Sequence, residues 1–102
     1  MAKKLKYVIV RTQSAGVFAG ELASKSTNAG GYFECVLHNA RRLWYWSGAA
    51  SLSQMAHSGT SNPGGCKFPV AVSRVELSQG IEIIDVTDSA RISIEGVKEW
   101  KQ

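Results

Sequence analysis

Two adjacent arginines followed by a run of aromatic residues are the strongest candidates for chemistry in this sequence. Residues 41–46 read Arg-Arg-Leu-Trp-Tyr-Trp. A guanidinium group can donate paired hydrogen bonds to a phosphate, and a tryptophan or tyrosine ring can stack on a nucleobase. This segment therefore indicates a site for an anionic ligand of nucleotide size.

The residues that follow predict a further part of the same site. Residues 48–58 have the pattern of a short helix, with Ser47 as its N-cap and a buried stripe at Leu52, Met55 and Ala56. The first N–H groups of a helix attract anions, and the small residues at its start leave room for a ligand. The predicted ligand-binding residues are Arg41, Arg42, Trp44, Trp46, Gly48, Ala49 and Ser51, with Arg74 and Arg91 as second candidates.

The same segment also admits a purely structural interpretation. Successive side chains of a strand point to opposite faces. Trp44 and Trp46 would then share a face with Arg42, and Tyr45 would lie on the other face with Arg41. Because the three rings cannot all face one ligand, the aromatic residues can equally be core and cross-strand packing. The sequence leaves open which face of this strand is buried.

The cysteines and histidines do not form a metal site by their spacing. Cys35 and His38 are three apart in a predicted strand, where such residues point to opposite faces. His57 and Cys66 lack the short spacing of zinc ligands on a turn. We predict no bound metal and no cofactor. We expect both cysteines to be reduced, although the sequence leaves a disulfide between them open.

No catalytic constellation stands out in the sequence. Cys66 with His57 or His38 has the residue types of a thiol–imidazole pair, but no local signature surrounds it. Glu82 and Asp85 lie on a predicted strand and point to opposite faces, so they do not form an acid–base pair. The sequence therefore predicts a binding protein rather than an enzyme.

Length and charge limit the other function classes. The 102 residues predict one domain spanning residues 1–102. The net charge is +4, but three of the twelve basic residues lie in the first six positions, and the remainder nearly balances the eight acidic residues. Nucleic acid is therefore not favoured as a partner. No apolar run approaches the roughly 20 residues of a membrane span, and no leader is indicated, so no membrane association is expected.

Turn residues divide the chain into short segments that predict an α+β fold with a mainly antiparallel β-sheet. The predicted strands, about six or seven in number, are residues 6–12, 17–24, 32–38, 41–46, 68–77, 81–86 and 97–101. Turns are predicted at 14–16, 39–40 and 78–80. Two short helices complete the fold: residues 48–58, and a second helix that Thr87 caps and Asp88 opens.

Several of these segments resemble a family of small proteins of unknown function from tailed bacteriophages and prophages. The resemblance spans nearly the whole chain. Its most specific part is Asn-Ala-Arg-Arg-Leu-Trp-Tyr-Trp at 39–46, and it includes Tyr-Val-Ile-Val-Arg-Thr at 7–12 and Val-Lys-Glu-Trp-Lys at 97–101. The resemblance implies a phage source and a compact protein, and it implies no activity.

A phage source favours a protein that acts by binding. Anti-defence proteins that sequester the cyclic nucleotide signals of bacterial immunity use arginines for phosphates and aromatic rings for bases, typically as oligomers. By analogy we expect a non-catalytic phage protein that sequesters a nucleotide-like immune signal, including cyclic nucleotides, as a homo-oligomer in the host cytosol. The alternative is a protein-interaction module that inhibits a host protein through an exposed aromatic patch.

Overall fold

The computed structural model describes residues 4–101 and has an α+β architecture. Within that part of the chain there are four antiparallel strands and two helices. The strands are β1 (Lys6–Thr12), β2 (Val17–Thr27), β3 (Phe33–Arg42) and β4 (Val72–Asp85); the helices are α1 (Leu52–Ser58) and α2 (Asp88–Gly96). A 3₁₀ turn spans Pro63–Gly65. The predicted α+β class is confirmed, whereas the prediction of six or seven strands is wrong.

The four strands close into a barrel because β1 pairs with both β2 and β4. Val10 of β1, for example, lies opposite Phe18 of β2 and Ile83 of β4. The long β4 pairs with two neighbours, because its residues 72–77 pair with β3 and its residues 80–85 pair with β1. Each strand therefore has a partner on both sides.

The predicted turn at residues 39–40 is instead a bulge within β3. Asn39 has a φ of 51°, which asparagine tolerates better than most residues. The register between β2 and β3 shifts opposite Gly20, where a methyl group would lie 3.0 Å from the Ala40 Cα. Because Gly20 has no side chain, the bulged backbone of β3 can lie close to it. As a result, the predicted strand 32–38 and the start of the next one are continuous.

The predicted turn at residues 78–80 lies where β4 passes from one neighbour to the other. Gly80 pairs with Phe33 on β3 and with Thr12 on β1. A methyl group on Gly80 would overlap the Phe33 ring, so only glycine lets the ring cover the backbone here. The strand bends and continues instead of reversing. The predicted strands 68–77 and 81–86 therefore become the single strand β4, which begins only at Val72.

The predicted strand 41–46 forms only in part. β3 ends at Arg42, and residues 43–46 take part in a single isolated bridge, between Tyr45 and Lys67. The physical reason is closure, because a barrel in which each strand has two neighbours offers no free edge for another strand.

The predicted strand 97–101 does not form either. Glu99 makes an isolated parallel bridge with Phe68, and the Trp100 N–H donates to the Phe68 carbonyl at 3.0 Å. This closing segment runs beside the chain that leads into β4, outside the barrel. Its β-branched and aromatic residues pack there instead of pairing with a strand of the sheet.

β1 is buried on both faces and separates two hydrophobic cores. Val8 and Val10 belong to the core inside the barrel. Tyr7 and Ile9 belong to the second core, on the side of the helices. The main members of that second core are Leu43, Met55, Ala56, Phe68, Ile94 and Val97. Successive side chains of β1 point to opposite faces, and each face is covered by a core. Four consecutive side chains are therefore buried.

The second helix begins as predicted. The Thr87 Oγ1 accepts from the Ala90 N–H at 3.1 Å, and Asp88 lies in the first turn. This arrangement satisfies an otherwise unpaired amide at the positive end of the helix. Among residues 4–101, no helix is long and apolar enough to cross a membrane.

The first helix begins later than predicted. Ser51, and not Ser47, is its N-cap, and the Ser51 Oγ accepts from the Gln54 N–H at 3.2 Å. Gly48 has a φ of 81°, which lies outside the right-handed helical region. The helix therefore cannot extend back to residue 48. Its predicted end is confirmed, since Gly59 is the C-cap.

Candidate functional site

Arg42, the last residue of β3, carries an exposed guanidinium group that is held in place. Its Cζ lies 4.3 Å from the centre of the Phe18 ring, and its Nη1 donates to the Ala15 carbonyl in the turn between β1 and β2. Gly16 in this turn has a φ of 95°, which favours glycine, and a methyl group there would only reach ordinary contact with Nη1, at 3.5 Å. The remaining N–H groups of Arg42 have no partner within residues 4–101, so they can bind a ligand.

Arg42, Trp44 and Trp46 together line a surface groove of about 380 Å³, which we call the Arg42 groove. The Trp44 side chain is 58% exposed. Trp46 is half-buried and packs against the second core. Residues 14–17 form the opposite wall. Three of the predicted site residues therefore line one groove, which combines a fixed cation with aromatic rings.

Trp44 also stacks on Trp100, which we call the Trp44–Trp100 stack. The ring centroids are 5.1 Å apart and the ring planes differ by 9°. Such offset parallel packing is favourable beyond the burial of the rings. Trp100 is not among the predicted site residues, because its segment was predicted to be a strand of the sheet.

Lys67 lies against the same aromatic surface. Its Nζ is 5.4 Å from the Trp44 ring, 5.5 Å from the Trp100 ring and 5.7 Å from the Tyr45 ring. These distances are within the range of cation–π attraction. The isolated bridge between Tyr45 and Lys67 creates this contact. No local sequence pattern could have revealed it, since the three aromatic rings and the lysine come from three separate segments.

Arg41 points away from the groove into the protein. It is only 7% exposed. Its Nε, Nη1 and Nη2 donate to the carbonyls of Pro69, Ile94 and Phe68 at 3.0–3.1 Å. Burial lowers the pKa of its guanidinium group. Arg41 thus ties three backbone segments together and does not share a ligand site with Arg42.

The predicted anion site at Gly48, Ala49 and Ser51 is not formed as expected. These residues precede the helix, and a methyl group on Gly48 would collide with the backbone of Asn62. The space beside Gly48 is therefore filled by residues 60–62 rather than left for a ligand. Ser51 uses its hydroxyl to cap the helix, as described above.

Arg74 lies apart from the aromatic rings, on β4. Its guanidinium group forms an exposed ion pair with Glu76 at 2.7 Å. Arg74 and Arg42 both line a second groove of about 410 Å³, whose other residues are mainly apolar: Phe18, Ala40, Pro69, Val70, Val72 and Val75. Arg74 is therefore a neighbour of the Arg42 groove rather than a part of it.

Arg91 is engaged in a network on the other side of the molecule. It bonds to Glu21 at 2.9 Å and to Glu95 at 3.3 Å, and its Cζ lies 4.5 Å from the Tyr7 ring. The hydrogen bond from Arg91 lowers the pKa of Glu21, and the hydrogen bond to Glu21 raises the pKa of Arg91. The geometry assigns Arg91 to this network and away from Arg42.

The thiols and imidazoles do not converge. Both cysteines are free and buried, and burial raises the pKa of the Cys35 thiol. The hydrogen-bond partners of the Cys66 Sγ are Ser47, Thr60 and Asn62, at 3.5–3.7 Å, and none is a histidine. In the described part of the chain, no group of three or more His, Cys, Asp or Glu residues could hold a metal ion.

Comparison with known proteins places the chain in a family. No curated protein and no solved structure matches it significantly. A family model described as a domain of unknown function (DUF6948) matches residues 5–94. Because this match covers most of the sequence, the chain belongs to the DUF6948 family.

Proposed function

We propose that this protein binds a nucleotide-like ligand, without catalysis, in the groove formed by Arg42, Trp44 and Trp46. The observation that carries the proposal is the placement of a fixed, exposed guanidinium group beside two tryptophan rings in one groove of about 380 Å³. A volume of this order suits a small-molecule ligand.

Each part of the groove has a distinct role in this proposal. Arg42 donates to a phosphate, and its contacts with Phe18 and Ala15 fix the donor before the ligand arrives. Little side-chain entropy is then lost on binding. The exposed Trp44 ring offers a surface for a base, an interaction of about 1–3 kcal/mol. Arg41 and residues 48–51 contribute to the fold around the groove rather than to binding.

The biological role that we propose is sequestration of a nucleotide-like immune signal, including cyclic nucleotides, by a phage protein in the host cytosol. The resemblance to phage proteins and the phosphate-plus-base chemistry of the groove support this role. We propose a homo-oligomeric protein, since sequestering proteins of this kind are typically oligomers.

The proposal is tested by thermal unfolding of the purified protein against mononucleotides, dinucleotides and cyclic oligonucleotides. A ligand that binds only the folded state at 100 times its Kd adds about 2.7 kcal/mol to the unfolding free energy. We expect one nucleotide class to stabilise the wild type and not Arg42→Ala. Arg11→Ala is the matched control, because Arg11 is also an exposed arginine on the barrel, where its partner is Glu82 on β4.

Mass spectrometry of small molecules released on heating provides an independent readout. A released nucleotide identifies the ligand class directly. If no nucleotide stabilises the protein, or if Arg42→Ala and Arg11→Ala respond equally to the stabilising nucleotide, the proposal is wrong.

The second candidate function is inhibition of a host protein through the exposed aromatic surface. The observation that favours it is the exposure of two large rings, 58% for Trp44 and 53% for Tyr45, next to the Trp44–Trp100 stack. Tryptophan and tyrosine are enriched among residues that dominate binding energy at protein interfaces. This function predicts a stoichiometric complex with one purified host protein that Trp44→Ser abolishes, and no stabilisation by nucleotides.

A further inference from the structure

A cavity of about 430 Å³, distinct from both grooves described above, lies on the opposite side of β3 from the Arg42 groove. Tyr7, Asn39, Arg41, Glu95 and Glu99 supply its polar lining. The two sites are separate because Arg41 and Arg42 are consecutive in a strand and point to opposite faces. Nothing in the proposed nucleotide function uses this cavity.

The Tyr7 hydroxyl is the first hydrogen-bond donor that lines this cavity. Tyr7 is only 5% exposed, and its hydroxyl has no hydrogen-bond partner within residues 4–101. No side-chain nitrogen or oxygen atom that is sealed from solvent within residues 4–101 lacks a partner, so the Tyr7 hydroxyl is accessible from the cavity. The stack of Arg91 on the ring, at 4.5 Å, fixes the orientation of the side chain. The cavity therefore presents a positioned hydrogen-bond donor without an acceptor.

Arg41 adds positive charge and further donors. Three of its five N–H groups bind backbone carbonyls, which leaves two. The guanidinium group is held rigidly by those three bonds, so the remaining donors keep a fixed direction. Together with the Tyr7 hydroxyl they match the oxygens of a carboxylate group.

Acceptors and negative charge come from the remaining polar residues. Glu95 and Glu99 line the cavity with side chains 48% and 40% exposed, and they form ion pairs with Arg91 and Lys101, at 3.3 and 3.6 Å. Asn39 donates its amide N–H to Glu21 at 2.8 Å, which leaves its side-chain oxygen as an acceptor. These groups match the N–H donors of an ammonium group.

We propose that this cavity binds a free amino acid. Arg41 and the Tyr7 hydroxyl donate to the α-carboxylate, and Glu95 and Glu99 accept from the α-ammonium group. An anion alone would meet the two carboxylates of Glu95 and Glu99, and a cation alone would meet the guanidinium group of Arg41. A ligand with both charges on neighbouring carbons satisfies both halves of the cavity. Ala71 and Val97 complete the wall and favour a short aliphatic side chain.

The test is binding of the standard amino acids to the full chain, measured by thermal unfolding at millimolar ligand and then by calorimetry. Each stabilising amino acid is compared with its decarboxylated amine and with its deaminated acid. We expect the amino acid to bind and each singly charged analogue to bind at least about tenfold more weakly, since one set of charge-assisted hydrogen bonds is lost.

Tyr7→Phe is the most informative variant. It removes only a hydroxyl that has no partner in the fold, so we expect normal folding and a Kd for the amino acid raised about tenfold. Glu99→Gln is a second variant, and it is expected to weaken binding in the same direction. Tyr45→Phe is the matched control, because Tyr45 lies outside the cavity and is 53% exposed.

Three results would overturn the proposal: no stabilisation by any amino acid, equal binding of a singly charged analogue, or an unchanged Kd in Tyr7→Phe. The outcome is independent of the nucleotide proposal. Tyr7→Phe is expected to leave any nucleotide-induced shift in place, and Arg42→Ala is expected to leave the amino-acid shift in place.

Discussion

The indole rings of Trp44 and Trp100 lie parallel, with centroids 5.1 Å apart and planes 9° apart. Neither residue is in a strand or a helix. The stack joins the segment that leaves β3 to the closing segment of the chain, and Lys67 contacts both rings. It therefore fixes one wall of the Arg42 groove, because Trp44 belongs to both the stack and the groove.

Loss of the stack should destabilise the protein modestly. For Trp100→Ala we expect the unfolding free energy to fall by about 0.5–1.5 kcal/mol beyond the loss of buried area. Urea denaturation gives that value, and near-ultraviolet circular dichroism reports the coupling of the two indoles. Trp100→Phe, which keeps a stacked ring, should retain most of the stability. An unchanged near-ultraviolet spectrum in Trp100→Ala would contradict the stack.

Replacement of the two adjacent arginines should destabilise the protein to very different extents. Arg41→Met leaves three carbonyls without their donor, so we expect a loss of at least about 2–4 kcal/mol of stability. Arg42→Met removes an exposed group, and we expect a loss of about 1 kcal/mol or less. Urea denaturation of the two variants under identical conditions measures the difference. Equal losses would show that the burial of Arg41 is misassigned.

Acid sensitivity should depend on Glu21. Hydrogen bonds from Arg91 and Asn39 lower the pKa of Glu21 below its ordinary 4.5. Because the folded-state pKa is the lower one, the stabilisation is present above pH 4.5 and is lost as the pH falls through the folded-state value. We therefore expect the unfolding free energy of Glu21→Gln, measured from pH 7 downward, to fall less steeply than that of the wild type. An equally steep fall in the two proteins would refute this assignment.

Alkaline sensitivity should depend on Tyr7. Burial, with a smaller effect of Glu95, raises the pKa of Tyr7 from 10.0 to about 12. Here the folded-state pKa is the higher one, so the stabilisation is complete below pH 10.0 and is lost as the pH rises through about 12. Tyr7→Phe should therefore lose less stability than the wild type over that interval. Absorbance titration of tyrosinate in the two proteins identifies the missing ionisation, and a missing ionisation centred near pH 10.0 would contradict the shift.

The bend of β4 should require glycine at position 80. A methyl group there would overlap the Phe33 ring, so we expect Gly80→Ala to cost about 1–3 kcal/mol. Gly64→Ala is the control, because a methyl group on Gly64 meets nothing within 4 Å. The double variant Gly80→Ala with Phe33→Leu should recover part of the loss if the ring is the obstacle. A full loss in the double variant would point to the backbone instead.

Local chemistry determined the elements that sequence analysis placed correctly. The β-branched run of β1 begins and ends at the predicted residues, and Thr87 caps α2 through its own hydroxyl. Met55 and Ala56 are buried, as their helical spacing predicted. Each of these features depends on neighbours within a few positions, which a sequence displays directly.

The predicted site residues Arg42, Trp44 and Trp46 line one groove because Arg42 ends β3 and the two tryptophans follow it in a short segment. Alternation placed Arg41 on the other face of the strand from Arg42, but it could not tell which of the two faces the fold buries. The three carbonyls that hold Arg41 come from Phe68, Pro69 and Ile94, far away in the chain.

The α+β class, the capped second helix and the residue types of the candidate site follow from local sequence patterns. The number of strands and the partners of the aromatic residues depend on how distant segments pack. Closure of the barrel joined segments that looked like separate strands and left no edge for residues 97–101. Lys67 and Trp100 therefore meet Trp44 outside the barrel, through contacts between distant segments that no local pattern records.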